Sequence, residues 1–243
     1  MVNPCIQSSQ KLTYRFVSGI RLLSSSVISQ GRLNKMELHN QKRQKLRSAL
    51  MNGQKIAIDF NLPNIMTDKD RWKLARQIKL LYHINMNCQA PVSLNFIGLR
   101  ENTLVNACFI EVFKEVEEII ANFVNGDLTV AFPNKSLVYL TPDAEQPLQF
   151  FDINEVYILG GLVDYQVRKN TTLRKAKDLN LQARRLPIPE YMEKKDGNRY
   201  NYSKILTINQ VFDILLKYQE THDWRQSLPV GLPARRGYTP RLD

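Results

Sequence analysis

Short apolar segments alternate with helical patterns along most of this chain, from about residue 55 onward. The apolar segments have the length of buried strands, and the stretches between them repeat apolar residues every three or four positions, as helices do. Strands that alternate with helices form a mostly parallel sheet covered by helices on both faces. The sequence therefore predicts an α/β fold. The predicted strands are Ile56–Phe60, Val92–Ile97, Leu137–Leu140, Val156–Leu159 and Ala183–Leu186.

Four helices are predicted from apolar stripes. The first, with Thr67 or Asp68 as its N-terminal cap, contains Leu74, Ile78 and Leu81. The stripes of the other three are Phe109, Phe113, Val116, Ile120 and Phe123; Leu173, Ala176 and Leu179; and Ile208, Val211, Phe212, Leu215 and Leu216.

Basic residues are concentrated at the two ends of the chain. Of the 243 residues, 34 are Lys or Arg and 23 are Asp or Glu, which gives a net charge of +11. Residues 1–55 contain 10 basic and 1 acidic side chains, residues 56–163 contain 8 and 13, and residues 164–243 contain 16 and 9. This layout predicts a polyanionic partner contacted by both ends, because neutralised phosphates release counterions. A solvated basic surface or a targeting signal is the alternative.

Residues 1–36, here called the leader, contain five basic residues and no acidic one. The leader is rich in serine, and its apolar residues recur near helical spacing opposite Arg15 and Arg21. That composition is typical of a mitochondrial transit peptide. A disordered basic arm of a cytosolic or nuclear protein is the alternative. Residues 37–54 are predicted to be a basic helical linker.

Several common chemistries lack their sequence patterns. Cys5, Cys88 and Cys108 are far apart, and the three histidines offer no zinc spacing, so no metal site is predicted. The chain has no GxGxxG, GxxxxGKS/T or GxSxG motif. Their absence disfavours a dinucleotide-binding oxidoreductase, a P-loop NTPase and a hydrolase. No apolar run approaches the roughly 18–20 residues that span a bilayer, so no membrane partner is expected.

A ligand is expected at the carboxyl ends of the predicted strands, where parallel sheets bind their ligands. Thr141-Pro142-Asp143 follows one strand and Gly160-Gly161 follows the next. Two glycines let the main chain approach a ligand closely. Asp164 comes three residues later, followed by the basic residues Arg168 and Lys169. Ordinary turns are the alternative interpretation of these loops.

The run VYILGGLVD, residues 156–164, resembles the signature of the tRNA position-9 N1-purine methyltransferases of the SPOUT class. Other blocks agree with that family in order and spacing, so that the resemblance covers roughly residues 55–238. They are IAIDF (56–60), LVYLTPD (137–143), LPI (186–188), ILTINQVF (205–212), and DW (223–224) with LPARR (232–236). The chain departs from the family pattern at Gln166 and Asn170 and in the segment Glu193–Ser203. These departures concern the choice between guanine and adenine and the residues at the edge of the cofactor site, not the fold.

The resemblance implies a methyltransferase domain over residues 55–228 and a basic tail over residues 229–243. It also implies that the C-terminal part of the sheet is threaded into a trefoil knot. S-adenosyl-methionine is the implied cofactor, bound in the knot largely by main-chain atoms. The residues implied to hold it are Leu140, Thr141, Gly160, Gly161, Lys169, Leu173, Pro187, Leu206 and Thr207.

By the same resemblance, Asp164 carries the catalytic role. Guanine N1 bears a proton that must leave before the nitrogen can accept a methyl group, and a carboxylate can take that proton. Orientation of the base by hydrogen bonding is the alternative role for Asp164. An adenine target needs no such base, because its N1 has no proton, and the sequence leaves both purines open.

tRNA or precursor tRNA is the implied partner. The candidate phosphate contacts are the basic residues Lys42, Arg43, Lys45, Arg184, Arg185, Arg235 and Arg236. The leader resembles that of the family's mitochondrial branch, whose member works in mitochondrial RNase P with a short-chain dehydrogenase and a protein-only nuclease. We therefore expect a tRNA methyltransferase of the mitochondrial matrix, with a nuclear or cytoplasmic location as the alternative. A second hypothesis is a tRNA-binding scaffold of RNase P, needed for 5′ processing, with methylation secondary.

Overall fold

The computed structural model describes residues 32–100, 103–163, 170–194, 205–232 and 237–241. The chain divides into two compact units, residues 1–44 and residues 45–243. In the first unit, residues 32–44 are helical, and the Gln41 side chain donates a hydrogen bond to Glu37. The second unit, here called the body, carries the candidate site.

The body is built on six parallel strands. They are β1 (Lys55–Asp59), β2 (Ser93–Ile97), β3 (Asn122–Val124), β4 (Ser136–Leu140), β5 (Glu155–Gly160) and β6 (Gln182–Arg184). Their order across the sheet is β3-β2-β1-β5-β4-β6. A separate antiparallel pair joins β7 (Met192–Lys194) to β8 (Tyr238–Pro240).

Helices connect the strands. They are α1 (32–52), α2 (Asp68–Asn87), α3 (Leu104–Phe113), α4 (Leu128–Ala131), α5 (Thr171–Asp178), α6 (Ile188–Tyr191), α7 (Ile208–Thr221) and α8 (Trp224–Gly231). The part of α1 that belongs to the body places Leu46 in the apolar core. The predicted α/β fold with a mostly parallel sheet is confirmed. No described helix combines the length and the apolar character that crossing a membrane requires.

The two faces of the sheet bury different sets of helices. Ile56 and Ile58 of β1 face a large apolar cluster that includes residues of α2, α3, α7 and α8. Ala57, between them, faces a smaller cluster that includes residues of α4 and α5. Alternate residues of a strand point to opposite faces. Helices on both faces explain why β1, β4 and β5 contain consecutive apolar residues, and why β2 buries even Ser93 and Asn95.

The N-terminal cap of α2 is Thr67, one of the two predicted candidates. Its hydroxyl bonds the Asp70 carboxylate at 2.6 Å, and its N–H donates to the same group. This side-chain hydrogen bond from Thr67 is the main reason that the pKa of Asp70 lies below its ordinary value. The Asp70 N–H in turn donates to the Thr67 hydroxyl at 3.3 Å, which completes a capping box and fixes where the helix begins.

The helix predicted from Phe109 to Phe123 is wrong in its second half. α3 ends at Phe113, and Lys114 has a positive φ of 66°, which no helix accommodates. Several glutamates follow between residues 115 and 118, where like charges close together oppose a continuous helix. Phe123 instead lies in edge strand β3, with its ring 5.2 Å from that of Phe96 on β2. The tertiary contact with the sheet therefore overrides the helical spacing. The trefoil knot stays a prediction.

Candidate active site

A cavity opens at the carboxyl ends of β4 and β5, where the sequence predicts ligand binding. We call it the strand-end cavity. Its walls come from the ends of these strands, the first turn of α5, the region of α6 and the start of α7. The lining residues are Leu140, Thr141, Pro142, Asp143, Leu159, Gly160, Leu162, Thr171, Thr172, Arg185, Leu186, Ile188, Pro189, Ile205, Leu206, Ile208 and Val211.

Four residues of the predicted cofactor set line the strand-end cavity: Leu140, Thr141, Gly160 and Leu206. They come from three separate stretches of the chain. The fold therefore brings together residues up to 66 positions apart in sequence.

The other described members of that set are not among the residues that line the cavity. Gly161 donates its N–H to the Asp59 carbonyl, and Leu173 is half-buried in α5. Pro187 is buried between the lining residues Leu186 and Ile188. Thr207 caps α7, with both its N–H and its hydroxyl bonded to the Gln210 side chain at 3.0 Å. Lys169 and the predicted catalytic Asp164 lie outside the described residues.

Gly160 and Gly161 permit close contacts that any side chain would prevent. A Cβ atom on Gly160 would lie 2.7 Å from Cγ2 of Thr172, and one on Gly161 would lie 2.8 Å from the Asp59 carbonyl oxygen. Real Cβ atoms do not approach other atoms so closely. The two glycines therefore serve close packing between β5, the end of β1 and the first turn of α5.

Polar bonds hold the first turn of α5 against β4. The hydroxyl oxygens of Thr141 and Thr172 are 2.7 Å apart, and the Asn170 N–H donates to the Asp143 carboxylate at 2.7 Å. Asn170 has φ of 66°, a left-handed conformation that asparagine tolerates better than most residues. Thr172 and Asp143 line the cavity and were not in the predicted set. Thr172 was missed because nothing local in the sequence pairs it with Thr141.

Arg185, predicted as a phosphate contact, is already paired. Its guanidinium donates to both carboxylate oxygens of Glu190, at 2.7 and 2.9 Å, and it also lines the cavity. The hydrogen bonds with Glu190 hold the pKa of Arg185 above its ordinary value. Arg184 is half-buried and bonds the neighbouring Ala183 carbonyl and Gln182 side chain.

Three of the remaining predicted phosphate contacts belong to α1. Lys42 and Arg43 belong to the N-terminal unit, and Lys45 is exposed on α1 in the body. Arg235 and Arg236 lie outside the described residues.

A basic surface on α2 escaped the sequence prediction. Lys69, Lys73 and Arg76 are spaced three or four positions apart, and Trp72 is three positions from Lys69 and four from Arg76, so all four lie on one side of the helix. We call this set the α2 cationic face. Lys69, Trp72 and Arg76 are exposed. The spacing is present in the sequence, but residues 56–163 have a net acidic charge as a whole, so no basic surface was predicted there.

The α2 cationic face belongs to a helix that is tied to the cavity wall. Gln77, on the same helix, accepts a hydrogen bond from the N–H of Ile208 at 3.2 Å, and Ile208 lines the strand-end cavity. The helix that carries the basic surface is therefore bonded directly to a residue of the cavity lining.

The lining suits the expected cofactor. Leucine and isoleucine side chains can flank an aromatic base, while Asp143 and the threonine hydroxyls offer polar contacts. Gly160, which has no side chain, contributes main-chain atoms to the lining. These residues therefore fit S-adenosyl-methionine, which has both an adenine ring and a charged amino-acid part. Within the described part of the chain, no group of three or more His, Cys, Asp or Glu could hold a metal ion.

Comparison with known proteins gives one consistent family. A family model for "tRNA (guanine(9)-N(1))-methyltransferase TRM10/TRM10A" matches residues 24–237. The chain is 36% identical to tRNA methyltransferase 10 homolog B of Homo sapiens over 197 residues, which are 81% of this chain and 62% of that protein. It is 34% identical to homolog B of Danio rerio over 218 residues, 87% of this chain and 68% of that protein. The chain thus spans less than two thirds of the length of the human relative.

Solved structures agree with this family. The crystal structure of full-length spTrm10 in complex with SAH has a TM-score of 0.65 and 26% identity, covering 76% of this chain and 98% of that one. The dual-specific Trm10 of Thermococcus kodakaraensis, 20% identical over 73% of this chain and 99% of its own, shares the fold with a TM-score of 0.55. The chain therefore belongs to the TRM10/TRM10A family of tRNA (guanine(9)-N(1))-methyltransferases.

Proposed function

We propose that this protein transfers a methyl group from S-adenosyl-methionine to N1 of the purine at position 9 of tRNA, with guanine as the main target and adenine as the second. The strand-end cavity is the observation that carries the proposal, because it joins four residues of the predicted cofactor set in one place. Membership of the family and the similarity to spTrm10, crystallised with SAH, support it.

The chain's own residues provide the binding surface. Leu140, Leu206 and the main chain at Gly160 would contact the cofactor directly, and Thr141 would contribute its hydroxyl. Gly161, Pro187 and Thr207 would act from behind by fixing the loops that line the cavity, while Leu173 and Lys169 would lie at its rim. The bound cofactor supplies an electrophilic methyl group on a sulfonium sulfur.

Asp164 is proposed to act on the target base. For guanine, its carboxylate would accept the N1 proton, or hold the base so that the nitrogen lone pair points at the methyl group. For adenine only the orienting role applies, because no N1 proton is present. A comparison of methylation rates on guanine and adenine therefore distinguishes the two roles of Asp164, because only guanine requires a base.

The tRNA is proposed to lie across the α2 cationic face and the basic C-terminal third. Lysine and arginine contacts with phosphates would position the RNA, and exposed Trp72 offers a surface for stacking an unpaired base. Lys42, Arg43, Lys45, Arg184, Arg235 and Arg236 remain proposed phosphate contacts. Arg185 is better placed to shape the cavity, since Glu190 binds its guanidinium.

The proposal is tested by incubating the purified chain with tritiated S-adenosyl-methionine and unmodified tRNA carrying G9 or A9. We expect N1-methylguanine at position 9, with less product on A9. Asp164→Asn should lower the rate on G9 tRNA at least tenfold and affect A9 tRNA less if the residue acts as a base. Tight tRNA binding with no methylated position 9 would contradict the proposal.

A second proposed role is that of a tRNA-binding subunit of mitochondrial RNase P, with a short-chain dehydrogenase and a protein-only nuclease as partners. The serine-rich, acid-free composition of the leader supports a mitochondrial location. A fluorescent fusion of the full chain tests the location. Depletion of the protein, followed by sequencing of mitochondrial tRNA 5′ ends, tests the role. We expect the tRNAs to keep their 5′ extensions after depletion, and expression of the Asp164→Asn variant to restore normal 5′ processing. Normal 5′ ends after depletion would exclude it.

A further inference from the structure

Asp59 is the last residue of β1, and its carboxylate is buried without exposure to solvent. A buried carboxylate is costly unless hydrogen bonds and an opposite charge compensate for lost hydration. Here the Tyr139 hydroxyl donates to Oδ2 at 2.9 Å, and the Asn61 N–H donates to Oδ1 at 3.0 Å. A fully bonded charge therefore lies beneath the carboxyl end of the sheet.

The opposite charge comes from α5. Nζ of Lys175 lies 2.9 Å from Oδ1 and 2.6 Å from Oδ2 of Asp59. The same ammonium donates to the Asn61 carbonyl at 2.6 Å. The ion pair joins residues 116 positions apart and links β1 to the helix that follows β5.

Asp59 also holds the other end of the segment between β5 and α5. Its carbonyl oxygen accepts the N–H of Gly161 at 2.8 Å. Gly161 precedes that segment and Lys175 follows it. One residue of β1 therefore fixes both flanks of the stretch 162–170, by its main chain on one side and by its side chain on the other.

Movement of α5 would reach the strand-end cavity. Thr171 and Thr172, one turn before Lys175, line that cavity, and Thr172 bonds Thr141. Residues three positions apart in a helix share a face, so Thr172 and Lys175 approach the sheet together. The ion pair and the threonine contact are two points of attachment for the same helix.

From this geometry we infer that Asp59 and Lys175 are a positioning pair for methyl transfer, in addition to their contribution to stability. The inference rests on the proposed function. The pair sets the distance between the end of β5 and the first turn of α5, and thereby holds Thr171 and Thr172 in the cavity lining. Neither residue needs to touch the cofactor or the RNA for this role.

The experiment separates positioning from stability by removing one charge or both. Lys175→Met leaves the Asp59 carboxylate buried and unpaired, so the Tm should fall and kcat should drop at least tenfold. Asp59→Asn/Lys175→Met removes both charges, so most of the Tm should return. We expect kcat of the double variant to stay at least tenfold below wild type, with the KM for tRNA changed less than threefold.

Two further variants keep the test decisive. Lys175→Gln is milder, because Lys175 is partly exposed and glutamine can still donate a hydrogen bond; it should fold and still lose at least fivefold in kcat. Lys135→Met removes an exposed lysine just before the start of β4, at the opposite end of that strand from the cavity, and is the control that should behave as wild type.

A double variant that regains both Tm and kcat, or Lys175→Gln with wild-type kcat, would overturn the inference and leave the proposed function intact. A wild-type chain that transfers no methyl group would overturn the proposed function, and the inference with it.

Discussion

The side-chain oxygens of Thr141 and Thr172 lie 2.7 Å apart and join the carboxyl end of β4 to the first turn of α5. Thr141 is 2% exposed, so its hydroxyl has little access to water. Thr172→Val keeps the shape of the side chain and removes this bond. We expect the free energy of unfolding to fall by about 1–3 kcal/mol, the cost of a buried polar group that loses its partner.

The same Thr172→Val variant should bind SAH about tenfold more weakly, as measured by calorimetry, because the bond lies in the cavity wall. Thr129→Val, on the exposed surface of α4, is the control and should change the free energy of unfolding by less than about 0.5 kcal/mol. Equal behaviour of the two variants would show that the hydroxyl pair contributes nothing measurable.

Gly160→Ala should damage binding and stability together. The added methyl would lie 2.7 Å from Cγ2 of Thr172, and Thr172 cannot rotate freely while its hydroxyl is bonded. Overpacking of this kind costs about 1–3 kcal/mol. Chemical denaturation measures the loss, and calorimetry with SAH should show at least a tenfold weaker affinity.

Gly126→Ala is the matched control for Gly160→Ala. Its added methyl would meet Val130 at 3.6 Å, an ordinary contact, and its φ is not positive. We expect wild-type SAH affinity and a change in stability of less than about 0.5 kcal/mol. Tight SAH binding by Gly160→Ala would instead mean that the ligand lies elsewhere.

Arg76 and Arg185 should respond differently in tRNA binding. Arg76 is exposed on the α2 cationic face, so Arg76→Gln should weaken tRNA binding and reduce the salt slope of log K by about 1, as expected for one lost phosphate contact. Arg185→Gln should leave tRNA affinity within twofold and weaken SAH binding, because Arg185 lines the cavity beside Glu190. Filter binding at several salt concentrations tests both, and the reverse pattern would place the RNA on the β6 side of the sheet.

Cys88 should make stability depend on pH in the alkaline range. Burial raises the pKa of its thiol from 9.0 to about 11, and the thiol donates to the Asn85 carbonyl. Below pH 9 the thiol is protonated in both the folded and the unfolded chain. Between pH 9 and 11 the unfolded chain loses this proton first, so the free energy of unfolding falls.

Urea denaturation of wild type and Cys88→Ala at pH 8.5 and 10.5 measures this effect, because other titrations are common to both proteins. The stability of wild type relative to Cys88→Ala should decrease at the higher pH. A constant difference would show that Cys88 ionises as easily in the folded chain as in the unfolded one.

The parts of the fold that follow from local pattern could be predicted. β1, β4 and β5 each contain a run of consecutive apolar residues, and the start of α2 is marked by Thr67 with Asp70 three residues later. The glycines at the end of β5 indicated the cavity, since tight approach of the main chain has a local sequence requirement. These features depend on neighbours within a few residues.

The features that the sequence could not supply depend on distant partners. The sequence places Asp59 near the end of a strand and gives no further role for it. Only the folded structure brings Lys175 and Tyr139 into contact with its carboxylate. Phe123 has helical spacing with Val116 and Ile120, but its ring instead packs against that of Phe96 on β2. Thr172 became part of the cavity wall for the same reason.

The central position of β1 has a consequence for how the chain is made. β1 lies between β2 and β5, and its register with β5 pairs Ile56 with Tyr157, about 100 residues later. During synthesis one side of β1 keeps unpaired N–H and C=O groups beside apolar side chains until β5 has left the ribosome. The nascent polypeptide therefore has an incomplete sheet for much of its translation, and exposed apolar surface and unpaired strand edges favour aggregation in such a state.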